Sequence, residues 1–286
     1  MNLTSGPTPG RSPARAPGWG NGDALRQELA ARRVPWRVRL LARVGSTQDL
    51  ILAAARGGEP EGLCVMADHQ VHGRGRAGRT WQAPPGSSLM LSLLLRPPDS
   101  VQTATLPLVV GLAVARGIEA AGGPPVRLKW PNDCLIGGRK VAGVLVESLW
   151  TEEGQAVAVG VGCNVFWEGL RMDDAIAPGA TALDREGWRG SGARLAAEVL
   201  ASLSDHYRSW RDLGFPALRQ PWLGRAVWIG EEVQVASGTA PLQGRLEGVD
   251  DEGRLLVTGA HGQVAIAAGD LSTGPLPSVR PARRAG

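Results

Sequence analysis

Three glycines and three arginines alternate within seven residues of the segment 70–81, which we name the Gly/Arg loop. They are Gly73, Arg74, Gly75, Arg76, Gly78 and Arg79. Glycine lets the backbone approach a ligand closely, and arginine presents a planar, permanently charged group that suits phosphate or carboxylate. No acidic residue lies between Asp68 and Asp99, so no neighbouring carboxylate neutralises these arginines. The loop predicts an anion site, and the alternatives are a solvated basic turn or a loose nucleic-acid contact.

Lysine is rare in this chain, because Lys129 and Lys140 are the only lysines among 31 basic residues. A lysine that arginine has not replaced indicates a need for a compact charge with a tunable pKa. Lys129 begins the run Lys-Trp-Pro-Asn-Asp, and Lys140 follows a Gly-Gly turn. A β-hairpin would bring both lysines close to Asn132 and Asp133, although turn chemistry alone explains an Asn-Asp pair.

Two hydroxyl residues, Ser46 and Thr47, precede a predicted helix over 50–56. Ser or Thr at this position is typical of a helix N-cap, and the Gly-Gly pair at 57–58 would end the helix. The hydroxyl that does not cap the helix would face a ligand together with the first-turn amides. This end of the helix therefore predicts both a cap and a binding contact.

Apolar periodicity predicts the elements that must position these groups. Strands are expected at 36–44, 63–67, 89–95, 126–130, 141–149 and 156–165, and helices at 23–33, 101–121 and 194–213. Gly160-Val161-Gly162 lies in a strand with no helix directly after it, so it is not a dinucleotide fingerprint, and its small residues would let a ligand approach. Short strands at 227–235, 243–249, 254–258 and 263–267 predict a small C-terminal β-barrel.

Composition is that of a soluble globular enzyme, with 43% hydrophobic and 20% charged residues. Residues 23–270 carry 26 basic and 27 acidic side chains, so the basic charge belongs to the tails and argues little for nucleic acid. One short helix before the first strand leaves no room for a helix-turn-helix module. Three separated cysteines and the lack of a signal peptide or membrane span predict a cytoplasmic protein without disulfides or zinc.

Together these motifs resemble one family, the biotin–protein ligases, which attach biotin to carboxylase carrier domains. The matching motifs occur in the family's order and cover roughly residues 23–272. They are Gly-Ser-Thr at 45–47, the Gly/Arg loop after Gln70, Lys-Trp-Pro-Asn-Asp at 129–133, Arg-Lys-Val-Ala-Gly at 139–143 and Gly-Val-Gly-Cys-Asn at 160–164. The combination is far more specific than any one of the motifs.

The resemblance implies an α+β fold, in which helices flank a mixed β-sheet related to class II aminoacyl-tRNA synthetases and an SH3-like β-barrel follows. The implied divisions are a disordered tail over 1–22, the catalytic domain over 23–220, the barrel over 221–272 and a flexible tail over 273–286. The implied protein is a monofunctional ligase without an N-terminal DNA-binding domain or membrane contact, and a monomer or weak homodimer.

The implied reaction joins biotin to ATP with Mg²⁺, which gives biotinyl-5′-AMP and pyrophosphate without a protein-bound metal site. A lysine amine of the partner, a biotin carboxyl carrier domain of acetyl-CoA or another acyl-CoA carboxylase, then attacks the mixed anhydride. By similarity, Lys140 would bridge the biotin carboxylate and the α-phosphate, and Arg76 would fold over both. Asp133 would position the carrier lysine and could deprotonate it.

The remaining implied contacts follow the same motifs. The implied biotin-binding residues are Ser46, Thr47, Gln48, Gln70, Arg74, Gly75, Arg76, Lys140 and Gly143. The implied ATP-binding residues are Arg76, Arg79, Trp81, Asn132, Lys140 and Asn164. Gln48 departs from the family pattern, because many members have Asn after Ser-Thr.

Two other functions stay open at this point. The same catalytic fold serves lipoate ligases and lipoyl or octanoyl transferases, although the arginine-dense loop with Lys-Trp-Pro-Asn-Asp favours biotin. A non-catalytic module that binds nucleic acid through the Gly/Arg loop and the tails is the other alternative, and its binding would weaken steeply with salt.

Overall fold

The computed structural model describes residues 22–98, 102–170, 179–237 and 240–274. The predicted tails therefore lie outside the described residues, except that Gly22 already begins the first helix and 273–274 follow the last strand. The helices are α1 Gly22–Ala31, α2 Thr47–Arg56, α3 Leu106–Ala120, α4 Gly192–Leu213 and α5 Pro216–Leu223. The strands of the larger sheet are β1 Arg37–Leu41, β2 Leu63–Ala67, β3 Ser88–Leu95, β4 Arg127–Lys129, β5 Asp133–Ile136, β6 Arg139–Thr151 and β7 Gly154–Asn164. The C-terminal strands are β8 Glu232–Ser237, β9 Ala240–Val249, β10 Leu255–Gly259, β11 Gly262–Ile266 and β12 Asp270–Ser272.

The larger sheet has the strand order β1-β2-β3-β7-β6-β5-β4. Strands β1 and β2 are parallel, and every other neighbouring pair in this sheet is antiparallel. Helices α3 and α4 pack together and cover one face, while α2 packs on the opposite face. This mixed sheet flanked by helices confirms the predicted α+β class.

On one face of the sheet, the side chains of β7 become smaller along the strand. Val159 and Val161 belong to the core beneath α3 and α4, whereas Ala158 packs beneath α2. Because side chains alternate between the two faces of a strand, Gly160 and Gly162 continue the α2 face without side chains. The face thus changes from a packed surface to an open floor within one strand.

Helix α3 is apolar on nearly all sides. The stretch Thr103–Ala120 reaches the length and mean hydropathy of a membrane span, which the sequence interpretation had denied to any apolar run. Its window is 67% buried inside the fold, because the sheet lies on one side of it and α4 on the other. Gly117 allows the close contact with α4, since a Cβ there would lie 2.5 Å from the Cα atom of Val199. The burial identifies α3 as a core helix of this fold.

The C-terminal sheet is antiparallel, with the order β11-β10-β9-β8-β12. Its first strand begins at Glu232, later than predicted, because Trp228 and Gly230 adopt φ values of 65° and 83° that interrupt an extended strand. Strand β12 has only three residues and α5 contains Pro221, so neither has a pattern that periodicity can detect. The prediction was a small C-terminal β-barrel, and the structure confirms a small C-terminal β-domain, built as a five-stranded antiparallel sheet.

Candidate active site

A cavity of about 490 Å³ lies on the α2 side of the larger sheet, beneath the Gly/Arg loop. All fourteen residues that the sequence interpretation proposed for the site line this cavity. They come from the start of α2, the Gly/Arg loop, the β4–β5 turn and strands β5, β6 and β7. The fold therefore brings together segments that are up to 118 positions apart, from Ser46 to Asn164.

The floor of the cavity is a row of residues paired across four strands. Gly162 pairs with Gly143, Gly143 with Asp133, and Asp133 with Lys129. The indole of Trp81 lies against the two glycines, because a Cβ on Gly162 would meet its ring at 2.5 Å and one on Gly143 at 3.5 Å. Gly162 therefore creates the space that the aromatic ring occupies, whereas Gly143 makes room for the Lys140 side chain, which would lie 3.0 Å from an added Cβ.

The Gly/Arg loop is a small hairpin. The amide of Trp81 donates to the carbonyl of Gly73 at 2.9 Å, and the amide of Gly75 donates to the carbonyl of Arg79 at 2.7 Å. A Cβ on Gly73 would lie 2.3 Å from the carbonyl oxygen of Trp81, so only glycine fits there. Ala77 has φ of 53° at the tip, where the chain reverses. Glycines thus close the hairpin, and the arginines project from it.

Carboxylates from distant elements partner the loop arginines. Arg74 contacts Glu147 of β6 at 2.7 Å and Asp49 of α2 at 3.0 Å. Asp270 of β12 lies 3.2 Å from Arg79 and 3.7 Å from Arg76. As the sequence indicates, no local acid neutralises the arginines, and the carboxylates come from tertiary contacts instead.

Asn132 holds the second arginine of the loop. The Arg76 guanidinium donates to the Asn132 side-chain oxygen at 2.9 Å, and the Asn132 amide donates to the carbonyl of Val144 at 2.8 Å. The buried amide thus already has a donor and an acceptor within the protein. In this structure Asn132 positions Arg76 over the cavity.

Lys140 and Asp133 form an ion pair inside the cavity, with Nζ 2.6 Å from Oδ1. The same ammonium lies 6.0 Å from the centre of the Trp81 ring, within the range of a cation–π contact. The backbone of Lys140 bridges to the segment after β7, donating to Gly179 and accepting from Thr181, both at 2.8 Å. The lysine is therefore fixed by both its backbone and its side chain.

A chain of hydrogen bonds fills the end of the cavity beside α2. The Thr47 hydroxyl lies 3.1 Å from the Gln70 side-chain oxygen and 2.8 Å from the Ser92 hydroxyl. Ser92 donates to Gln48 at 3.0 Å, and Gln48 donates to the carbonyl of Ala158 at 3.0 Å. Ser92 was missed by the sequence interpretation, although a serine in the buried apolar strand Leu-Met-Leu-Ser-Leu-Leu-Leu was a usable signal. This end of the cavity is polar and ordered.

The predicted helix cap is not made by either hydroxyl. Ser46 occupies the N-cap position of α2, but its side chain makes no capping hydrogen bond. Its hydroxyl oxygen is buried and has no hydrogen-bond partner in the described part of the chain. A buried polar group without a partner is costly, so Ser46 is poised to bond a ligand in the cavity.

The opposite end of the cavity contains aromatic residues that the sequence interpretation missed. Trp167 lines this end, Trp228 lines the cavity beside Lys129 of β4, and the buried indole N–H groups of Trp81 and Trp167 find no acceptor among the described residues. Asn164 also lines this end, and its amide donates to the carbonyl of Thr181 at 3.0 Å. Large planar surfaces with free N–H donors suit a heteroaromatic ligand.

The cysteines contribute no chemistry to the cavity. Cys64, Cys134 and Cys163 are buried free thiols, and burial raises the pKa of Cys64 and of Cys134 to about 12. No group of three or more His, Cys, Asp or Glu side chains in the described residues could hold a metal ion.

The cavity as a whole combines a polar end, a cationic centre and an aromatic end. The cationic centre can hold two anions side by side.

Two family profiles match this chain. The Biotin/lipoate A/B protein ligase family matches residues 40–164, and the Biotin protein ligase C terminal domain matches residues 228–274. The first match includes all fourteen residues that the sequence interpretation proposed for the site, and the second covers Trp228 and the C-terminal sheet.

Comparisons of the chain with individual proteins and solved structures also find biotin ligases. The chain is 38% identical to the biotin–[acetyl-CoA-carboxylase] ligase of Paracoccus denitrificans, over 82% of this chain and 100% of that protein. It is 34% identical to the bifunctional ligase/repressor BirA of Bacillus subtilis, over 81% of this chain and 72% of that protein. The biotin protein ligase of Aquifex aeolicus in complex with biotin and ATP superposes with a TM-score of 0.71 at 30% identity, over 82% of this chain and 97% of that one.

Proposed function

This chain belongs to the biotin protein ligase family, and we propose that its cavity activates biotin with ATP and transfers biotin to a lysine of a carboxylase carrier domain. One observation carries the proposal: the polar end, the cationic centre and the aromatic end form a single cavity. The order of these regions matches the order of the groups in biotinyl-5′-AMP, which are a ureido ring, an acyl phosphate and a nucleoside.

The polar end binds the ureido ring of biotin. Ser46 offers a buried hydroxyl. The side-chain oxygen of Gln70 accepts hydrogen bonds from the amide and hydroxyl of Thr47, so the NH₂ group of Gln70 can donate to the ligand. The bonds among Thr47, Ser92 and Gln48 hold these groups in place before the ligand arrives. Preorganised polar partners favour a ring that carries both donors and an acceptor.

The cationic centre brings the two anions together. A biotin carboxylate oxygen attacks the α-phosphorus of ATP, and the bond from that phosphorus to the bridging oxygen breaks, so that pyrophosphate leaves. Lys140 stabilises the charge on the α-phosphate, and Arg76, fixed by Asn132, covers the carboxylate. Trp81 and Trp167 contact the nucleoside at the aromatic end.

Mg²⁺ enters with the phosphates of ATP. Asp133 is the only carboxylate among the residues that line the cavity in the described chain, so the protein offers no metal cage of its own. Mg²⁺ commonly binds through one carboxylate and substrate phosphates, a donor set that Asp133 fits. The ion supplies further neutralisation of the phosphate charge.

Transfer uses the same cavity. The amine of the carrier lysine attacks the acyl carbon of biotinyl-5′-AMP, and AMP leaves with the electrons of the broken acyl–oxygen bond. Asp133 positions this amine and accepts its proton once the nucleotide phosphate has drawn Lys140 away. We expect the enzyme to act in the cytoplasm, as a monomer or weak homodimer.

Lipoate or octanoate is the second candidate substrate, since the matched family includes lipoate ligases. The polar end of the cavity contains the side chains of Ser46, Thr47, Gln48 and Ser92, all of them buried. An alkyl chain or dithiolane ring would leave the buried Ser46 hydroxyl without a partner, so the cavity favours biotin.

The test is release of pyrophosphate from ATP and Mg²⁺ with biotin, lipoate or octanoate, before a carrier is added. We expect release that depends on biotin and stops near one equivalent per chain, because the product stays bound. Release with lipoate or octanoate alone would overturn the choice of substrate. No release with any of the three acids would overturn the proposed activity.

A further inference from the structure

Five cationic side chains line the cavity, and four of them have a carboxylate partner in the ligand-free fold. These four are Arg74, Arg76, Arg79 and Lys140, whose partners lie at 2.6–3.7 Å. The fifth is Lys129, and no carboxylate of the described residues lies within 4 Å of its ammonium group. A cation without a carboxylate partner among the described residues, in a cavity that we propose to hold anions, points to a binding role of its own.

An aromatic ring takes the place of the missing carboxylate. The ammonium of Lys129 lies 5.5 Å from the centre of the Trp228 ring, in the range of a cation–π contact. Such a contact attracts and orients the cation without cancelling its charge. Among the described residues, Lys129 is therefore held in position by a contact that leaves its positive charge available to a ligand.

The chain positions this pair with some strain. Trp228 has φ of 65°, an uncommon value for a large side chain, and such residues concentrate at functional sites. The segment before it is fixed to β4, because Leu128 donates to the carbonyl of Arg225 and Val227 donates to that of Leu128, both at 2.9 Å. The strained residue thus lies beside Lys129 at the cavity wall.

The position of Lys129 in the floor suggests which anion it meets. In the row of paired residues, Asp133 with its partner Lys140 lies between Gly143 and Lys129. Neighbouring strands are about 4.8 Å apart, so Lys129 lies one strand beyond Asp133 and about 10 Å from Gly143. With the α-phosphate at Lys140, the next phosphates of ATP reach the level of Lys129.

We propose that Lys129, held by Trp228, forms a subsite for the pyrophosphate portion of ATP, an inference that rests on the proposed function. When the bond between the α-phosphorus and the bridging oxygen breaks, its electron pair stays on the departing pyrophosphate. The Lys129 ammonium donates hydrogen bonds to those oxygens and keeps its proton throughout. The subsite serves the first half-reaction only, because pyrophosphate takes no part in transfer.

The experiment uses the reverse reaction on the full-length protein. Synthetic biotinyl-5′-AMP is bound, pyrophosphate with Mg²⁺ is titrated, and the rate of ATP formation gives the apparent affinity for pyrophosphate. Lys129→Met removes the charge and keeps the apolar stem, and we expect it to weaken this affinity about 10- to 100-fold. Trp228→Leu should weaken it by a smaller factor, and Lys129→Arg should restore part of the loss.

The second readout is transfer from synthetic biotinyl-5′-AMP to a carrier domain, which we expect Lys129→Met to leave within about twofold of wild type. Arg208→Met, on the exposed side of α4, is the matched control for loss of one positive charge. Unchanged affinity of Lys129→Met for pyrophosphate would overturn the subsite. Impaired transfer with unchanged affinity would also overturn it and assign Lys129 to carrier docking. Wild-type enzyme that releases no pyrophosphate with biotin would instead contradict the proposed function.

Discussion

At the scale of residues, the site is a set of charges and polar groups that compensate one another while the ligand is absent. Lys140 contacts Asp133 at 2.6 Å, and Arg79 contacts Asp270 at 3.2 Å. Closely spaced cations would repel one another in the empty cavity without these carboxylates. We expect the anions of the substrates to take the place of these carboxylates as partners of the cations.

Lys140→Ala tests the assignment of the cation at the reacting phosphate. We expect adenylation to slow by about 10²–10³-fold, because the variant loses charge stabilisation that is needed in the transition state. Biotin-dependent release of pyrophosphate in a single turnover measures this rate.

Arg139→Ala is the control for Lys140→Ala, since this neighbouring cation is exposed and paired with Glu186 away from the cavity. Its adenylation rate should stay within about twofold of wild type. A Lys140→Ala enzyme that adenylates at a near-normal rate would refute the assigned role.

Ser92→Ala tests the hydrogen-bond chain at the polar end of the cavity. Ser92 links Thr47 to Gln48, so its removal takes one hydrogen bond from each and leaves the buried Gln48 side-chain oxygen without a partner. We expect KM for biotin to rise about 5- to 10-fold while KM for ATP stays nearly constant, as measured by steady-state pyrophosphate release.

Ser202→Ala on α4 provides the comparison for Ser92→Ala, because its hydroxyl contacts only His206 far from the cavity. A Ser92→Ala enzyme with unchanged KM for biotin, or with equal changes for both substrates, would argue against a specific role in binding the ring.

At the scale of elements, glycine placement shapes the cavity. Gly160 and Gly162 remove side chains from one face of β7, and the ring of Trp81 fills part of the space above Gly162. Gly73 lets the two sides of the loop hairpin pair closely, which holds Trp81 over that floor. The Gly/Arg loop can therefore pack on β7 because Gly73 in the loop and Gly162 in the strand have no side chains.

Gly162→Ala tests this fit. The added Cβ would lie 2.5 Å from the Trp81 ring, so the ring and the loop that holds it must shift. Overpacking of this kind costs about 1–3 kcal/mol, and we expect kcat/KM for adenylation to fall at least about 10-fold.

The matched variant for Gly162→Ala is Gly224→Ala, where the nearest neighbour of an added Cβ is 3.6 Å away. It should retain full activity. Circular dichroism and thermal melting separate a displaced ring from a failure to fold, and a folded Gly162→Ala enzyme with normal kcat/KM would contradict the proposed fit.

At the scale of the whole molecule, the C-terminal sheet takes part in the site. Asp270 contacts the Gly/Arg loop, and Trp228 lines the cavity. The indole of Trp130 donates to the carbonyl of Gly253 at 3.1 Å, and Arg225 pairs with Glu119 of α3 through two hydrogen bonds. These contacts fix the small sheet against the catalytic domain.

Glu119→Gln tests the stability of this junction. Burial alone would raise the pKa of the Glu119 carboxyl, but hydrogen bonds from Arg225 and the Val126 amide outweigh burial and hold that pKa below its usual range. A lowered pKa contributes stability above the unfolded value of about 4.3, and that contribution is lost as pH falls through the folded pKa.

We therefore expect Glu119→Gln to lower the stability by about 1 kcal/mol at pH 7, or roughly 2–4 °C in Tm. The difference from wild type should shrink as the pH drops below about 4, which thermal melts from pH 3 to 7 measure. Glu198→Gln, which disrupts the Arg32 pair of the α1–α4 contact, is a comparison outside the junction. A Tm difference that stays constant with pH would contradict the argument.

Periodicity predicted the helices and strands, and the family resemblance that the motifs carry implied the fold class and fourteen residues of the site. Lys-Trp-Pro-Asn-Asp, the Gly/Arg loop and the alternation of β7 are short-range patterns, and hydrophobic periodicity encodes which face of a strand is buried. The predicted strands and main helices therefore agree with the structure to within a few residues, and all fourteen proposed residues line one cavity.

Only the tertiary structure decided which groups neutralise, support or complete the site. Asp49, Glu147 and Asp270 reach the loop arginines from α2, β6 and β12, and no local pattern relates these positions. Ser92 and Trp228 belong to the cavity for the same reason, since β3 is placed by sheet pairing and the segment before β8 is placed by its hydrogen bonds to Leu128 of β4. Sequence periodicity defines the faces of an element, but long-range packing determines which face another element meets.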